Sequence, residues 1–370
     1  MTQVISIICF ILMIGLVIFI HELGHFLVAK RNGVGVTEFS IGMGPALHSW
    51  VKGGTKYCLR LLPLGGYCQL LGQEALFNED LSEEAEEIDT DAEHAYCNKS
   101  VFQRISIIAA GPIFNFLLAL LLSVVVTALV GFTPSAISGV ADGYPAQEAG
   151  LQAGDLITKI NDEPMHFFKE VSLYLTLHEG ENVNVTYVRN GETKTAELKP
   201  VYNEEEARYM IGITSAPRRD CRNAGEIFKY GFYDFGYNCG LVVKSLKILV
   251  SGKGSLDDLS GPVGVANVVN DIVEEVEQDT AGESFFVRAY WVLINILNFA
   301  AFISANLGIM NLLPIPALDG GKLLLLLVEA VRGKPLSRKT EGIITIIGVV
   351  LMLLLVAVVF FNDIRKVFFR

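Results

Sequence analysis

The string H-E-L-G-H at residues 21–25 lies inside a long apolar run near the N-terminus. Residues 2–29 are otherwise almost wholly apolar, and about 20 such residues are enough to cross a bilayer as a helix. Ionisable side chains are costly there and indicate a functional site. Because residues i and i+4 share one face of a helix, His21 and His25 are expected to hold one zinc ion, with Glu22 beside it as a general base. The apolar flanks exclude a chance match on an exposed helix of a soluble protein.

The composition indicates a membrane protein. The chain has 370 residues, of which 51% are hydrophobic, and its mean hydropathy is +0.44. Four apolar stretches have spanning length or nearly so: residues 2–29, 101–132, 288–313 and 341–361. A cleavable signal peptide explains the first stretch poorly, because it lacks a basic start and a small-residue cleavage site and it contains the histidine motif. We therefore expect a polytopic α-helical membrane protein with about four transmembrane helices.

Charge and cysteine content exclude some classes of function. The formal net charge is −11 and no basic stripe is present, so a nucleic-acid partner is not expected. Membrane lipid is an expected partner because of the apolar stretches. The six cysteines show no C-x-x-C spacing and are expected to be mostly free thiols. Cys221 and Cys239 are expected to be able to pair if their segment is extracytoplasmic.

Basic residues near the apolar stretches predict the orientation in the membrane. They cluster in the first and third loops: Lys30, Arg31, Lys99, Arg104, Arg332, Lys334, Arg338 and Lys339. Both loops are therefore expected in the cytoplasm, which places residues 133–287 and both termini outside. The basic tail, with Arg365, Lys366 and Arg370, argues the other way and is outvoted by the two loops.

The segment after the first span predicts β-structure. Residues 33–72 are rich in glycine and alternate apolar with polar side chains; the strands are marked by Val34, Val36, Tyr57, Leu59 and Leu61, and residues 52–55 form a hairpin turn. Two interpretations stay open: a small sheet on the membrane surface, or a re-entrant hairpin beside the histidine helix whose edge holds an extended substrate. Residues 74–93, rich in Asp and Glu, predict a solvated loop or a surface helix.

The second apolar stretch contains G-P-I-F-N at residues 111–115. Small residues let membrane helices approach closely, and a polar side chain in lipid bonds to a neighbouring helix. Asn115 is therefore expected either to hold helices together or to support the candidate site.

Residues 136–202 change to a mixed, turn-rich composition. Val140 is expected to begin a strand, residues 144–151 to form a turn and a short helix capped by Gly150, and residues 154–162 a turn, a strand and a hairpin. Residues 183–189 and 193–198 alternate like paired strands around Asn190-Gly191, a type I′ turn signal. The string P-A-x-x-A-G-L-x-x-G-D-x-I-x-x-I-N resembles a PDZ domain, which implies binding of extended peptide at a sheet edge. A purely structural role stays open.

The stretch from residue 203 to 287 is amphipathic. Residues 228–250 carry apolar side chains at helical spacing, with lysines on another face, which predicts an interfacial helix. Residues 260–264, S-G-P-V-G, predict a tight turn at the membrane surface.

A second charged string follows the third apolar stretch. Residues 311–321 read N-L-L-P-I-P-A-L-D-G-G, where the prolines are expected to break the helix and Asp319 stands in an apolar setting. A zinc ion would compensate for that carboxylate, and catalytic zinc usually has three protein ligands. Asp319 is the candidate for the third ligand. The alternative is a helix N-cap at the membrane boundary.

Together these strings resemble the site-2 protease family of intramembrane zinc metalloproteases, specifically the bacterial regulator-of-sigma-E protease type. H-E-x-x-H, G-P-x-x-N, the PDZ-like insert and N-x-x-P-x-P-x-L-D-G occur here in that order, and the likeness covers nearly the whole chain. Many Gram-negative relatives have two tandem PDZ modules and this chain has space for one, which favours a Gram-positive-type relative.

The resemblance implies four domains or regions. Residues 1–132 would hold two transmembrane helices, a membrane-associated β-hairpin and an acidic cytoplasmic loop; residues 133–202 an extracytoplasmic PDZ domain; residues 203–287 a membrane-surface linker; and residues 288–370 two further transmembrane helices. It also implies zinc ligation by His21, His25 and Asp319, catalysis by Glu22, and substrate binding by Asn306, Asn311 and Pro314.

The expected function is cleavage of single-span membrane proteins within or near the bilayer of the cell membrane, with the active site toward the cytoplasm. By resemblance, the substrates are trimmed anti-sigma factors and remnant signal peptides. The competing hypothesis is a membrane scaffold that binds zinc for structure and recruits partners through its PDZ domain. A transporter is disfavoured because the spans show no inverted repeats.

Overall fold

The computed structural model describes residues 2–72, 93–252, 261–335 and 337–368. The acidic segment predicted at residues 74–93 lies outside the described residues, except for Glu93. Ser260 of the predicted turn and Arg370 of the basic tail also lie outside them. The helices are α1 (Thr2–Arg31), α2 (Val101–Val130), α3 (Pro145–Glu148), α4 (Phe168–Leu177), α5 (Ala224–Val250), α6 (Pro262–Asp279), α7 (Phe285–Leu312), α8 (Asp319–Arg332) and α9 (Arg338–Phe368). The strands are β1 (Val36–Lys52), β2 (Thr55–Leu70), β3 (Ile137–Val140), β4 (Leu156–Ile160), β5 (Glu163–Pro164), β6 (Val183–Arg189), β7 (Glu192–Leu198), β8 (Val201–Asn203), β9 (Arg208–Met210) and β10 (Ile213–Ser215).

Four helices within the described ranges are long and apolar enough to cross a membrane. They are α1, α2, α7 and the central part of α9, Thr340–Asp363. Each coincides with one of the four apolar stretches, so the prediction of about four transmembrane helices is confirmed.

The chain divides into two compact units, and each is described by itself. The first, the membrane unit, comprises Met1–Leu122 and Asn238–Arg370, and the second comprises Ser123–Tyr237.

In the membrane unit, α1 packs closely on α2, α6 and α7. A Cβ added to Gly24 of α1 would lie 2.5 Å from the backbone oxygen of Ala110 in α2, so only glycine allows this approach of the two helices. Buried side chains from α1, α2, α6 and α7 form one apolar cluster that includes Val17, Leu118, Val269 and Ala301. Helix α1 is thereby held against its neighbours along much of its length.

Strands β1 and β2 form the hairpin predicted after the first span, with its turn between Lys52 and Thr55. The first part of β1 pairs on both sides, because Ser40 is opposite Tyr67 and also opposite Cys58. The last part of β2, from Gly66 to Leu70, pairs with β1 on one side, and no other strand of the described chain joins this sheet. The hairpin therefore has a free edge at that segment.

The predicted turn at residues 260–264 is wrong for its described part. Gly261 is the N-cap of α6, and Pro262 is in its first turn. The buried Asp363 of α9 accepts hydrogen bonds from the backbone N–H groups of Gly261 (3.2 Å) and Gly264 (3.0 Å). A Gly-Pro pair suits both a turn and a helix start, and the remote carboxylate favours the helix by satisfying its first N–H groups.

In the second unit, β5, β4, β6 and β7 form one sheet in that order, and β10 pairs with β3. The predicted hairpin between β6 and β7 is confirmed, with positive φ at Asn190 (51°) and Gly191 (84°) as a type I′ turn requires. Val140 ends β3 rather than beginning it, and α4 was not predicted. Because β10 pairs with β3, the fold of this unit continues beyond residue 202.

A partly buried ion pair links two segments of the second unit. Arg189 of β6 donates from Nε and from one terminal nitrogen to the two carboxylate oxygens of Asp155, each at 2.7 Å. Burial alone raises the pKa of Asp155, but the bonds from Arg189 and the Gln152 amide outweigh it and hold that pKa below its usual range. The aspartate of the PDZ-like string therefore ties the loop before β4 to β6.

Two other expectations are settled by the described residues. All six cysteines are free, so Cys221 and Cys239 do not form a disulfide. The helix predicted over residues 228–250 is confirmed as part of α5.

Candidate functional site

Helix α1 brings its two histidines together as the spacing predicted. The Nε2 atoms of His21 and His25 lie 3.3 Å apart, and both residues are buried. The helix runs without interruption from Thr2 to Arg31, so the i and i+4 side chains project from one face.

Asp319 reaches this pair from the other end of the sequence. Helix α7 ends at Leu312, the segment with the two prolines follows, and Asp319 is the first residue of α8, whose N-cap is Leu318. The alternative of an N-cap role for Asp319 therefore does not apply. A Cβ on the next residue, Gly320, would lie 2.1 Å from the backbone oxygen of Leu313. Glycine there lets α8 start against the preceding loop, which places the carboxylate of Asp319 at the histidines.

The three ligand atoms match the donor set of a zinc ion. Asp319 Oδ2 lies 3.1 Å from His21 Nε2 and 3.3 Å from His25 Nε2. Metal–ligand distances of about 2.0–2.1 Å in a tetrahedron require donor atoms about 3.3 Å apart. Asp319 Oδ2 is also buried without a hydrogen-bond partner within the described residues, which an added cation would correct. His21, His25 and Asp319 therefore fit zinc.

Helix α2 leaves space for this cluster. A Cβ added to Gly111 would lie 2.3 Å from His25 Nε2 and 2.8 Å from His21 Cε1. Any larger residue would enter the volume that the imidazoles and a metal between them require.

The second ring nitrogen of each histidine also faces α2. His25 Nδ1 donates to the backbone oxygen of Ile107 at 2.9 Å, and His21 Nδ1 lies 3.1 Å from the side-chain nitrogen of Asn115. Partners of this kind orient the imidazoles of metal sites.

The cluster opens into a cavity of about 580 Å³. Besides the three candidate ligands, its lining includes Glu22, Asn311, Lys322 and the β2 residues Gly65, Gly66, Tyr67 and Cys68. Glu22 Cγ would lie 3.3 Å from a Cβ added to Gly66. Of the three predicted substrate-binding residues, the structure brings Asn311 to the cavity, whereas Asn306 and Pro314 are not among the described lining residues.

Sequence reasoning missed three contributors to this site. The Ile107 backbone oxygen has no signature in the sequence. The sequence indicated only that a small residue at position 111 favours close helix packing; it did not show that a side chain there would clash with the histidines. Lys322 was detectable, because it lies three residues after Asp319 and shares its helix face.

Comparison with known proteins decides the family. The profile of peptidase family M50 matches residues 9–355. A zinc metalloprotease, by its given name, from Clostridium acetobutylicum is 38% identical over 359 residues, covering 97% of each chain. This chain belongs to peptidase family M50. The regulator of sigma-W protease RasP from Bacillus subtilis is 32% identical over 433 residues, covering 98% of this chain and 99% of its own.

Membership makes this M50 chain a site-2-type zinc metalloprotease with several membrane-spanning helices. Among solved structures, the PDZ domain of an SdrC-like protein from Listeria monocytogenes is 27% identical, covering 23% of this chain and 90% of that one, with a TM-score of 0.21. The presence of a PDZ domain rests here on the strand pairing and the sequence string of the second unit.

Gly111→Ala should reduce zinc binding, because the added methyl group enters the space of the His25 imidazole. We expect the zinc affinity of the purified protein to fall by about tenfold or more. The measurement is competition with a chelating dye in detergent. Gly15→Ala in α1 is the matched control, since no atom lies within 4 Å of its added Cβ. Equal zinc affinity in the two variants would contradict the crowded geometry.

Proposed function

We propose that this M50 protein hydrolyses a peptide bond of single-span membrane proteins, using zinc held by His21, His25 and Asp319 and using Glu22 as general base. The observation that carries this proposal is the convergence of three donor atoms within 3.3 Å of one another, beside Glu22, in one cavity of the membrane unit. Their sequence separation makes a coincidental cluster a poor explanation.

Zinc, when bound, polarises the scissile carbonyl and makes water more acidic. Glu22 accepts a proton from the attacking water and returns it to the leaving nitrogen of the substrate. A carboxylate next to the ligands and free of a ligand role suits this exchange.

The free edge of the hairpin provides a place for the substrate. A helical substrate hides its backbone and must unwind before it is cut, and an extended segment can add to an exposed strand edge. Gly65 and Gly66 line the cavity beside Glu22, so a segment on this edge would pass the catalytic group. This supports the re-entrant interpretation of the hairpin, and we propose that Asn311, which lines the same cavity, contacts the same segment.

Asn306 and Pro314 remain proposed substrate-binding residues on the strength of the family resemblance alone. The proposed substrates are trimmed anti-sigma factors and remnant signal peptides. The name of the B. subtilis relative, a regulator of sigma-W protease, supports the first of these. The PDZ domain would screen substrates by the size or the end of their remaining ectodomain.

The competing function is a zinc-stabilised scaffold. A structural zinc site is normally closed by four protein ligands and has no use for an adjacent free carboxylate. His21, His25 and Asp319 are the one group of three or more potential ligands found in the described chain, and Glu22 is separate from it. We therefore favour the protease.

Glu22→Gln should abolish cleavage and keep zinc, because the amide cannot accept the proton while the ligands are unchanged. We expect the rate of cleavage of a model single-span substrate in proteoliposomes to fall by about 10²–10⁴-fold. Glu192→Gln, at a side chain that is 75% exposed, is the matched control. Parental activity in a zinc-loaded Glu22→Gln protein would exclude the proposed mechanism, and a wild-type protein that binds substrate without cutting it would favour the scaffold.

We also propose that the active site lies toward the cytoplasm and that the PDZ domain is extracytoplasmic, on the basis of the basic loops. In a background without the native cysteines, a membrane-impermeant maleimide added to intact cells should label Glu192→Cys in the second unit and leave Lys334→Cys unlabelled. Both positions are exposed, so accessibility differs only by side of the membrane. Labelling of Lys334→Cys alone would reverse the orientation, and permeabilised cells give the control in which both react.

A further inference from the structure

Asn115 is fully buried in α2, one helical turn beyond Gly111. Its side-chain nitrogen lies 3.1 Å from His21 Nδ1. Its side-chain oxygen is buried without a hydrogen-bond partner within the described residues. An unsatisfied amide oxygen in such a place is destabilising, so a role for this oxygen is expected.

The chemistry of imidazole specifies what that oxygen can do. A neutral ring has one N–H group, and the nitrogen that binds a metal must offer its lone pair. If His21 Nε2 faces the metal together with His25 and Asp319, the ring proton is on Nδ1. Nδ1 then requires an acceptor, and the Asn115 amide is the side chain in contact with it.

The amide can meet either requirement of His21. With its nitrogen toward Nδ1, it donates to the ring, whose own proton is then on Nε2, 3.1 Å from Asp319 Oδ2. Rotation of the amide by half a turn about its Cβ–Cγ bond brings the oxygen to Nδ1 instead, where it accepts. The ring keeps one proton in both arrangements: Nε2 releases a proton to water and Nδ1 takes one up.

His25 differs, because its Nδ1 faces the backbone oxygen of Ile107 at 2.9 Å. A backbone carbonyl can only accept a hydrogen bond, so the ring proton of neutral His25 is on Nδ1. The lone pair of its Nε2 is therefore available to bind a metal. The two histidines therefore differ in their Nδ1 partners. The partner of His25 can only accept a hydrogen bond, whereas the Asn115 amide beside His21 can donate or accept one.

We propose that Asn115 is a positioning residue for the metal site, which orients His21 by accepting its Nδ1 proton through the side-chain oxygen. This rests on the proposed function, in which His21 is a zinc ligand. Asn115 does not touch the metal and acts through the imidazole.

The alternative role for Asn115 is to hold two helices together. Ser304 of α7 donates to the backbone oxygen of Asn115 at 2.8 Å, so this residue also takes part in a contact between helices. That bond uses the main chain and is independent of the amide. Ser304→Ala therefore removes an interhelical bond at the same residue and leaves the contact with His21 intact.

The test is the zinc affinity of four variants of the full-length protein in detergent, measured by competition with a chelating dye. We expect Asn115→Leu to lower the affinity about 10–100-fold. Asn115→Asp should restore it to at least half the wild-type value, because a carboxylate accepts from Nδ1–H. Ser304→Ala should bind zinc as the wild type does. His21→Ala should lose more affinity than Asn115→Leu.

The outcomes separate the two proposals. Wild-type zinc affinity in Asn115→Leu, or an Asn115→Asp variant as weak as Asn115→Leu, would overturn the positioning role. If Asn115→Leu and Ser304→Ala both lower the thermal midpoint and neither changes the affinity, the residue is a packing contact only. If His21→Ala binds zinc as tightly as the wild type, the proposed metal site itself is wrong. Should Asn115→Leu fail to fold, Asn115→Ser, which is too short to reach the ring, replaces it with the same expected loss.

Discussion

The contact that the structure depends on is the meeting of two imidazoles and one carboxylate inside the membrane unit. His21, His25 and Asp319 place three donor atoms 3.1–3.3 Å apart in a largely buried setting. Such a cluster is unfavourable without a compensating charge, which a zinc ion would supply. Several other features serve this approach. Gly111 leaves space for the rings, Gly24 brings α2 to α1, and Gly320 lets α8 begin against its own loop.

Part of the site was predictable because ionisable side chains are rare in membrane-spanning segments. An ionisable residue in an apolar stretch is costly, and His21, Glu22, His25 and Asp319 are candidate site residues for that reason. The four spans and the hairpin around Asn190-Gly191 followed from equally local signals. These features share one property: the sequence signal for each lies within a few residues of it.

The features that the sequence did not predict depend on remote partners. The turn predicted at residues 260–264 is instead the start of helix α6, because the carboxylate of Asp363 that caps it comes from α9. The double pairing of β1 and the free edge of β2 follow from how the hairpin folds back on itself, which alternation of side chains does not encode. The Ile107 carbonyl is part of the main chain and has no residue signature.

The central claim is that one zinc ion is bound by ligands from the two ends of the sequence. X-ray absorption at the zinc edge of the purified enzyme tests this directly. The account predicts a first shell of nitrogen and oxygen at about 2.0–2.1 Å with two imidazoles, and the loss of one oxygen ligand or of the metal in Asp319→Ala. A shell containing sulfur at about 2.3 Å, or a shell unchanged by Asp319→Ala, would contradict it.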